Sequence, residues 1–115
     1  MSLRRALASL PDDRATVATA REVVAFFDAH PHEALEPERV SRATGMEHDR
    51  TDPVLKALSD AFVIDCDGDP RLMPSSYDPD TVLALEVRRF LRVKDSTTSR
   101  LQHSVDRYRG RFGSL

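Results

Sequence analysis

Glu36-Pro37-Glu38-Arg39-Val40-Ser41-Arg42-Ala43-Thr44-Gly45-Met46-Glu47-His48-Asp49-Arg50-Thr51-Asp52-Pro53-Val54-Leu55-Lys56-Ala57-Leu58-Ser59-Asp60-Ala61 is the stretch that decides the fold. Pro37 suits the first turn of a helix, where a missing N–H costs nothing. Glu38 suits the positive end of the helix dipole. Gly45 stands where a left-handed residue closes such a helix. Val40, Ala43 and Met46 are expected to face a core. Leu55 and Leu58 lie one turn apart on a second helix. A proline in a helix interior costs about 3 kcal/mol. The second helix is therefore expected to start at Pro53, with Asp52 as its N-cap. Met46 to Thr51 would then be a loop or a separate turn.

Downstream, Phe62-Val63-Ile64-Asp65 and Arg71-Leu72-Met73-Pro74 read as a two-strand ribbon, turning at Asp67-Gly68-Asp69-Pro70. Upstream, Val17, Ala20, Val24 and Phe27 recur at helical steps over 15–29, with Val23 and Phe26 widening the stripe. His30-Pro31-His32 ends that helix, because the residue before a proline leaves the helical region. Glu33-Ala34-Leu35 reads as a short strand able to pair with the ribbon. Leu3, Leu7 and Leu10 suit a short amphipathic helix ahead of the break at Pro11.

Ser75-Ser76-Tyr77 reads as a linker, with Asp78 capping and Pro79 opening a long helix. Val87, Leu91, Lys94, Thr98, Leu101, Val105, Tyr108 and Phe112 alternate by 4 and 3 residues, which makes a heptad seam. The polar run Asp95-Ser96-Thr97-Thr98-Ser99 is weak helix material and leaves open a break there, with Ser96 capping a second helix. The apolar faces need a partner, and a second copy of the chain is the leading choice.

This order of elements resembles the winged helix–turn–helix proteins, and the terminal helices resemble those that build dimers in MarR-like and PadR-like regulators. The resemblance implies a mainly α fold with a small β-hairpin wing and a long C-terminal helix. It divides the chain into an N-terminal helix (1–10), a winged domain (15–74) and a C-terminal dimerisation segment (78–112). It further implies a homodimer that binds double-stranded DNA in transcriptional control. Arg39 and Arg42 would hold phosphates, while His48, Arg50, Thr51 and Lys56 would approach base edges and Arg71 would serve the wing. Val87, Leu91, Leu101, Val105, Tyr108 and Phe112 would carry the dimer. Many relatives have glycine where this chain has Phe62. A bulky residue does not readily take positive φ, so the helix exit must differ or Phe62 belongs to the core.

Charge opposes part of that reading. Residues 46–80 hold nine acids against Arg50, Lys56 and Arg71, whereas residues 81–115 hold eight bases against three acids. An acidic wing is repelled by phosphate. The competing reading is a protein-interaction module that uses the acidic wing or the arginine-rich C-terminal helix. In either case the two halves could also attract each other.

Other chemistry finds little support. His30, His32, Glu33, His48, Cys66 and His103 form no metal-ligand motif. Asp65, Asp67 and Asp69 alternate like the start of a calcium loop but lack its glycine and distal glutamate. No nucleophile has a recognisable surround and no glycine-rich phosphate loop exists, so neither an enzyme nor a cofactor is expected. The single Cys66 allows no internal disulfide and fits a reducing cytoplasm. The start is a poor signal peptide, and no apolar run reaches the roughly 18 residues of a membrane span.

Overall fold

The computed structural model describes residues 2–92. The fold is mainly helical with one small antiparallel hairpin: α1 (Leu3–Ala8), α2 (Arg14–Ala29), α3 (Pro37–Thr44), α4 (His48–Asp60), β1 (Asp65–Cys66) and β2 (Ser75–Ser76). Residues 81–92 are helical again and are called α5. No helix among the described residues is long and apolar enough to cross a membrane.

Every other early helix packs on α4. Its inner face carries Thr51, Val54, Leu55, Ala57 and Leu58, all buried. Val54, Leu55 and Leu58 meet Ala20, Val23, Val24 and Phe27 of α2, Val40 of α3, and Leu3 and Ala6 of α1 in one core. Each fully buried Val, Leu or Phe contributes about 1.5–3 kcal/mol. Met46 is half-buried and Ala43 is exposed, so of the three α3-side positions expected inside, only Val40 is fully covered.

Gly45 closes α3 at φ 71°. The Gly45 N–H donates to Arg42 O and the Met46 N–H to Ser41 O, the paired bonds of a Schellman ending. The same motif ends α4, with Phe62 in the glycine position at φ 61°. Phe62 N–H donates to Ser59 O (3.0 Å) and Val63 N–H to Leu58 O (2.8 Å). The expectation that Phe62 would avoid positive φ or join the core is thus corrected: it adopts the left-handed turn and stays exposed. The turn places Val63 and Ile64 in the core, and their burial offsets a left-handed penalty of about 1–2 kcal/mol.

A second correction concerns the start of α4. The helix begins at His48, with Glu47 as N-cap, and Pro53 lies inside it. Glu47 O accepts from the N–H groups of Arg50 and Thr51. This first turn carries Thr51 into the core, a tertiary gain that outweighs the local rule. Pro53 and Asp49 are both exposed, so water can serve the Asp49 carbonyl that the proline leaves without a donor.

The hairpin is displaced from the expected ribbon. Asp65 pairs with Ser76 and Cys66 with Ser75, so the presumed linker supplies β2. The intervening turn centres on Asp69, whose carbonyl accepts from Leu72 and Met73 N–H. Leu35 bridges the other side of Ser75 through two backbone bonds of 2.8 and 3.0 Å. Three backbone lanes therefore lie in the order Leu35, β2, β1.

Asp80, not Asp78, caps α5: its carboxylate accepts from Leu83 N–H at 2.8 Å. Asp78 instead holds His32 Nδ1 at 2.6 Å and the Ser76 hydroxyl. Leu83 and Val87 bury into the chain's own core, with Leu91 partly covered beside them. Val87 is therefore not available to a partner seam. Lys94, Ser96, Thr98, Leu101, Val105, Tyr108 and Phe112 lie outside the described residues. The Glu86 carboxylate reaches across to α1 and accepts from Leu3 and Arg4 N–H, each at 2.9 Å. A side chain of α5 thus caps the first helix.

Two stability changes follow. Glu86→Ala removes a charged acceptor from two helix-end donors and should cost about 1–2 kcal/mol, read as a lower melting temperature. Phe62→Gly relieves the left-handed turn and should raise stability by up to about 1 kcal/mol in urea unfolding. A loss of stability in the second variant would mean that Phe62 packs on something in solution.

Candidate interaction surface

Because three helices cover the inner side of α4, only its outer stripe is open. Asp49, Asp52, Pro53, Lys56 and Asp60 recur there at helical steps, and Ser9, Leu10 and Pro11 of the α1–α2 connection line a shallow hollow beside them together with Arg71. Lys56 is chelated by Asp60 at 2.8 and 2.9 Å. His48 Nδ1 lies 3.6 Å from Asp52 Oδ1. The stripe itself is therefore net negative.

The residues nominated as DNA contacts do not converge on one positive surface. Thr51 is fully buried, with its hydroxyl turned toward Glu47 O, so it cannot reach a base; this nomination is corrected. Arg39 pairs with Glu33 at 3.6 Å and lies over the Phe26 ring at 5.8 Å. Arg71 forms a bidentate pair with Asp69, at 2.7 and 2.9 Å. Lys56 and His48 face carboxylates on their own helix. Arg42 and Arg50 are exposed and make no ion pair among the described residues. Arg50 lines a small cleft with Ala15, Thr16 and Asp49; the Thr16 N–H and hydroxyl hold the nearby Asp13 carboxyl below its usual range, and the charge of Arg50 adds the smallest share.

Surface ion pairs of this kind are individually weak, and phosphate could displace them. Their sum is the stronger constraint. Residues 2–92 contain seventeen acids against twelve bases, and five of those bases (Arg4, Arg5, Arg88, Arg89 and Arg92) belong to α1 and α5 rather than to α4 or the hairpin.

The hairpin turn is organised by its own acid. Asp69 accepts from the side chain and the N–H of Arg71, which holds its carboxyl down at about 2. Asp65 and Asp67 beside it are exposed. Cys66 is half-buried, with its thiol directed at Met73 O (3.9 Å). Among the described residues no group of three or more His, Cys, Asp or Glu converges to hold a metal.

The acidic character of α4 was readable in the sequence. What the sequence did not signal was the engagement of Arg39, His48, Lys56 and Arg71 with neighbouring carboxylates, because that depends on rotamers and on the true start of α4. Comparison with protein-family models, characterised proteins and solved structures yields no match.

The Asp69 carboxyl provides a pH test. Its pKa is depressed in the folded chain, so its pairing with Arg71 is present above the ordinary value of 3.8 and is lost as pH falls through about 2. Carboxyl-detected NMR should give a midpoint near 2, moving up toward 3.8 in Arg71→Ala.

Proposed function

We propose that the chain is a winged helix–turn–helix module whose exposed α4 stripe and hairpin turn contact a basic protein partner rather than DNA. The order helix, bridge, helix, helix, hairpin, with Leu35 paired beside β2, supports the winged reading. The observation that carries the functional choice is the outer stripe of α4. The position that would enter a major groove presents Asp49, Asp52 and Asp60, with its one lysine already paired to Asp60. A DNA reader needs donors there and positive charge around them. An acidic stripe beside exposed Asp65 and Asp67 suits Lys- or Arg-rich protein surface, where complementary charge sets orientation and speeds encounter.

A second reading keeps DNA as the partner. It is favoured by Arg42 and Arg50, which flank the turn at Gly45 and remain open to solvent. Under that reading the chain acts as a homodimeric regulator.

The two readings separate in one titration of the labelled full chain. A Lys/Arg-rich helical peptide should shift the amide signals of Asp49, Lys56 and Asp60, and Asp49→Lys with Asp60→Lys should abolish the effect. Both substitutions are at exposed sites, so the fold should persist by circular dichroism. Absence of peptide-induced shifts on α4, with duplex DNA shifting Arg42 and Arg50 instead, would favour the regulator.

A further inference from the structure

We infer that the cleft between α1 and α5 is a docking groove for an acidic amphipathic helix of another protein. Two adjoining hollows, of 510 and 290 Å³, share Arg4, Leu7 and Phe90 as walls; the smaller lies between α1 and α5, and the larger runs on from it along the α1–α2 connection to Val17 and Ala20 of α2. Leu7, Leu10 and Phe90 are packed against the core yet only partly covered by it. Along α5 the apolar surface continues, with Val82 74% and Leu85 55% exposed. Val82, Leu85 and Arg89 follow one another at steps of 3 and 4 and so adjoin on one side of α5, beside the hollow that Arg89 and Phe90 line. A hydrophobic groove of this kind takes the apolar face of an amphipathic helix.

Charge selects the occupant. Arg4 and Arg89 line the groove, and Arg5, Arg88 and Arg92 are exposed on the same two helices. None of these five arginines makes an ion pair among the described residues. Two carboxylates lie near. Glu86 spends both oxygens on the backbone of α1, and Asp12 stands in the wall of the larger hollow. With both carboxylates counted, α1, α5 and Asp12 carry five positive charges against two negative, so the flank around the apolar floor is net positive. A second copy docked about a two-fold axis would set Arg4 and Arg89 against the same arginines, an unfavourable opposition. Nucleic acid gains little from an aliphatic floor, and one face of the single aromatic ring there is occupied: Arg21 lies over Phe90 at 4.5 Å while its guanidinium donates to Phe90 O at 2.7 Å. A helix with an apolar stripe and Glu or Asp beside it satisfies floor and rim together.

The groove meets the hollow beside the α4 stripe at Leu10 and Pro11, but its charged walls are on α1 and α5, so this inference stands or falls separately from the choice between basic protein and DNA. The test uses the labelled full chain and two synthetic amphipathic peptides about five turns long. Both carry the same leucine stripe, one with Glu and the other with Lys on its polar face. The Glu peptide should shift the amide signals of Leu7, Leu85, Arg89 and Phe90 and bind at least about tenfold more tightly than the Lys peptide. Arg4→Gln with Arg89→Glu should reverse that order, and Leu85→Glu should weaken both, while the melting curves stay cooperative. Equal affinity for the two peptides, shifts confined to α4, or no binding would overturn the inference. So would sedimentation showing a dimer that Leu85→Glu dissociates, because the groove would then belong to a second copy.

Discussion

The burial of one side of α4 is the constraint from which the rest follows. Val54, Leu55 and Leu58 sit beneath α1, α2 and α3, in the one core cluster that the described residues form. Once that face is committed, the helix can offer the outside world only its opposite stripe. The composition of that stripe then decides what the module can touch. Here it is acidic and interrupted by a proline, and its cation is engaged by a carboxylate one turn away.

The two Schellman endings turn this packing into a fold. Gly45 reverses the chain so that α3 and α4 share the core, and Phe62 does the same at the other end so that Val63 and Ile64 follow α4 inward toward the hairpin. The first reversal uses the residue that sterics favour. The second forces a phenylalanine into the same backbone conformation, and the buried pair after it compensates. At the far end, Glu86 fastens α5 to the start of α1, so the first and last described helices form one flank of the domain. That flank carries the arginines and the open apolar cleft, while α4 and the hairpin carry the acids. Among the described residues no ion pair joins the two surfaces.

Local patterns in the sequence reached the parts of the fold governed by local rules. The α2 stripe, the end of α3 at Gly45 and a pairing lane at Leu35 were all readable from periodicity, a glycine and a short apolar step. Failures came where tertiary contact overrode a local preference. Pro53 was expected to begin α4, but burying Thr51 extends the helix a turn earlier. Phe62 was excluded from positive φ on steric grounds that hold only without compensation. Val87 fitted a seam by spacing, yet α5 has two faces and this residue belongs to the inner one. The Glu86 cap joins residues more than eighty positions apart, and no window of sequence contains it. Among the candidate site residues, residue type identified the charged ones, but only side-chain geometry distinguished engaged bases from open ones.

The most direct test of the central claim is the affinity of the intact chain for mixed-sequence duplex DNA as salt is varied from low to physiological concentration. The account predicts no measurable complex even at the lowest salt, because the outer side of α4 repels phosphate. Binding whose logarithm falls with that of salt by about 0.9 per phosphate contact, and which disappears in Arg42→Ala with Arg50→Ala, would contradict it.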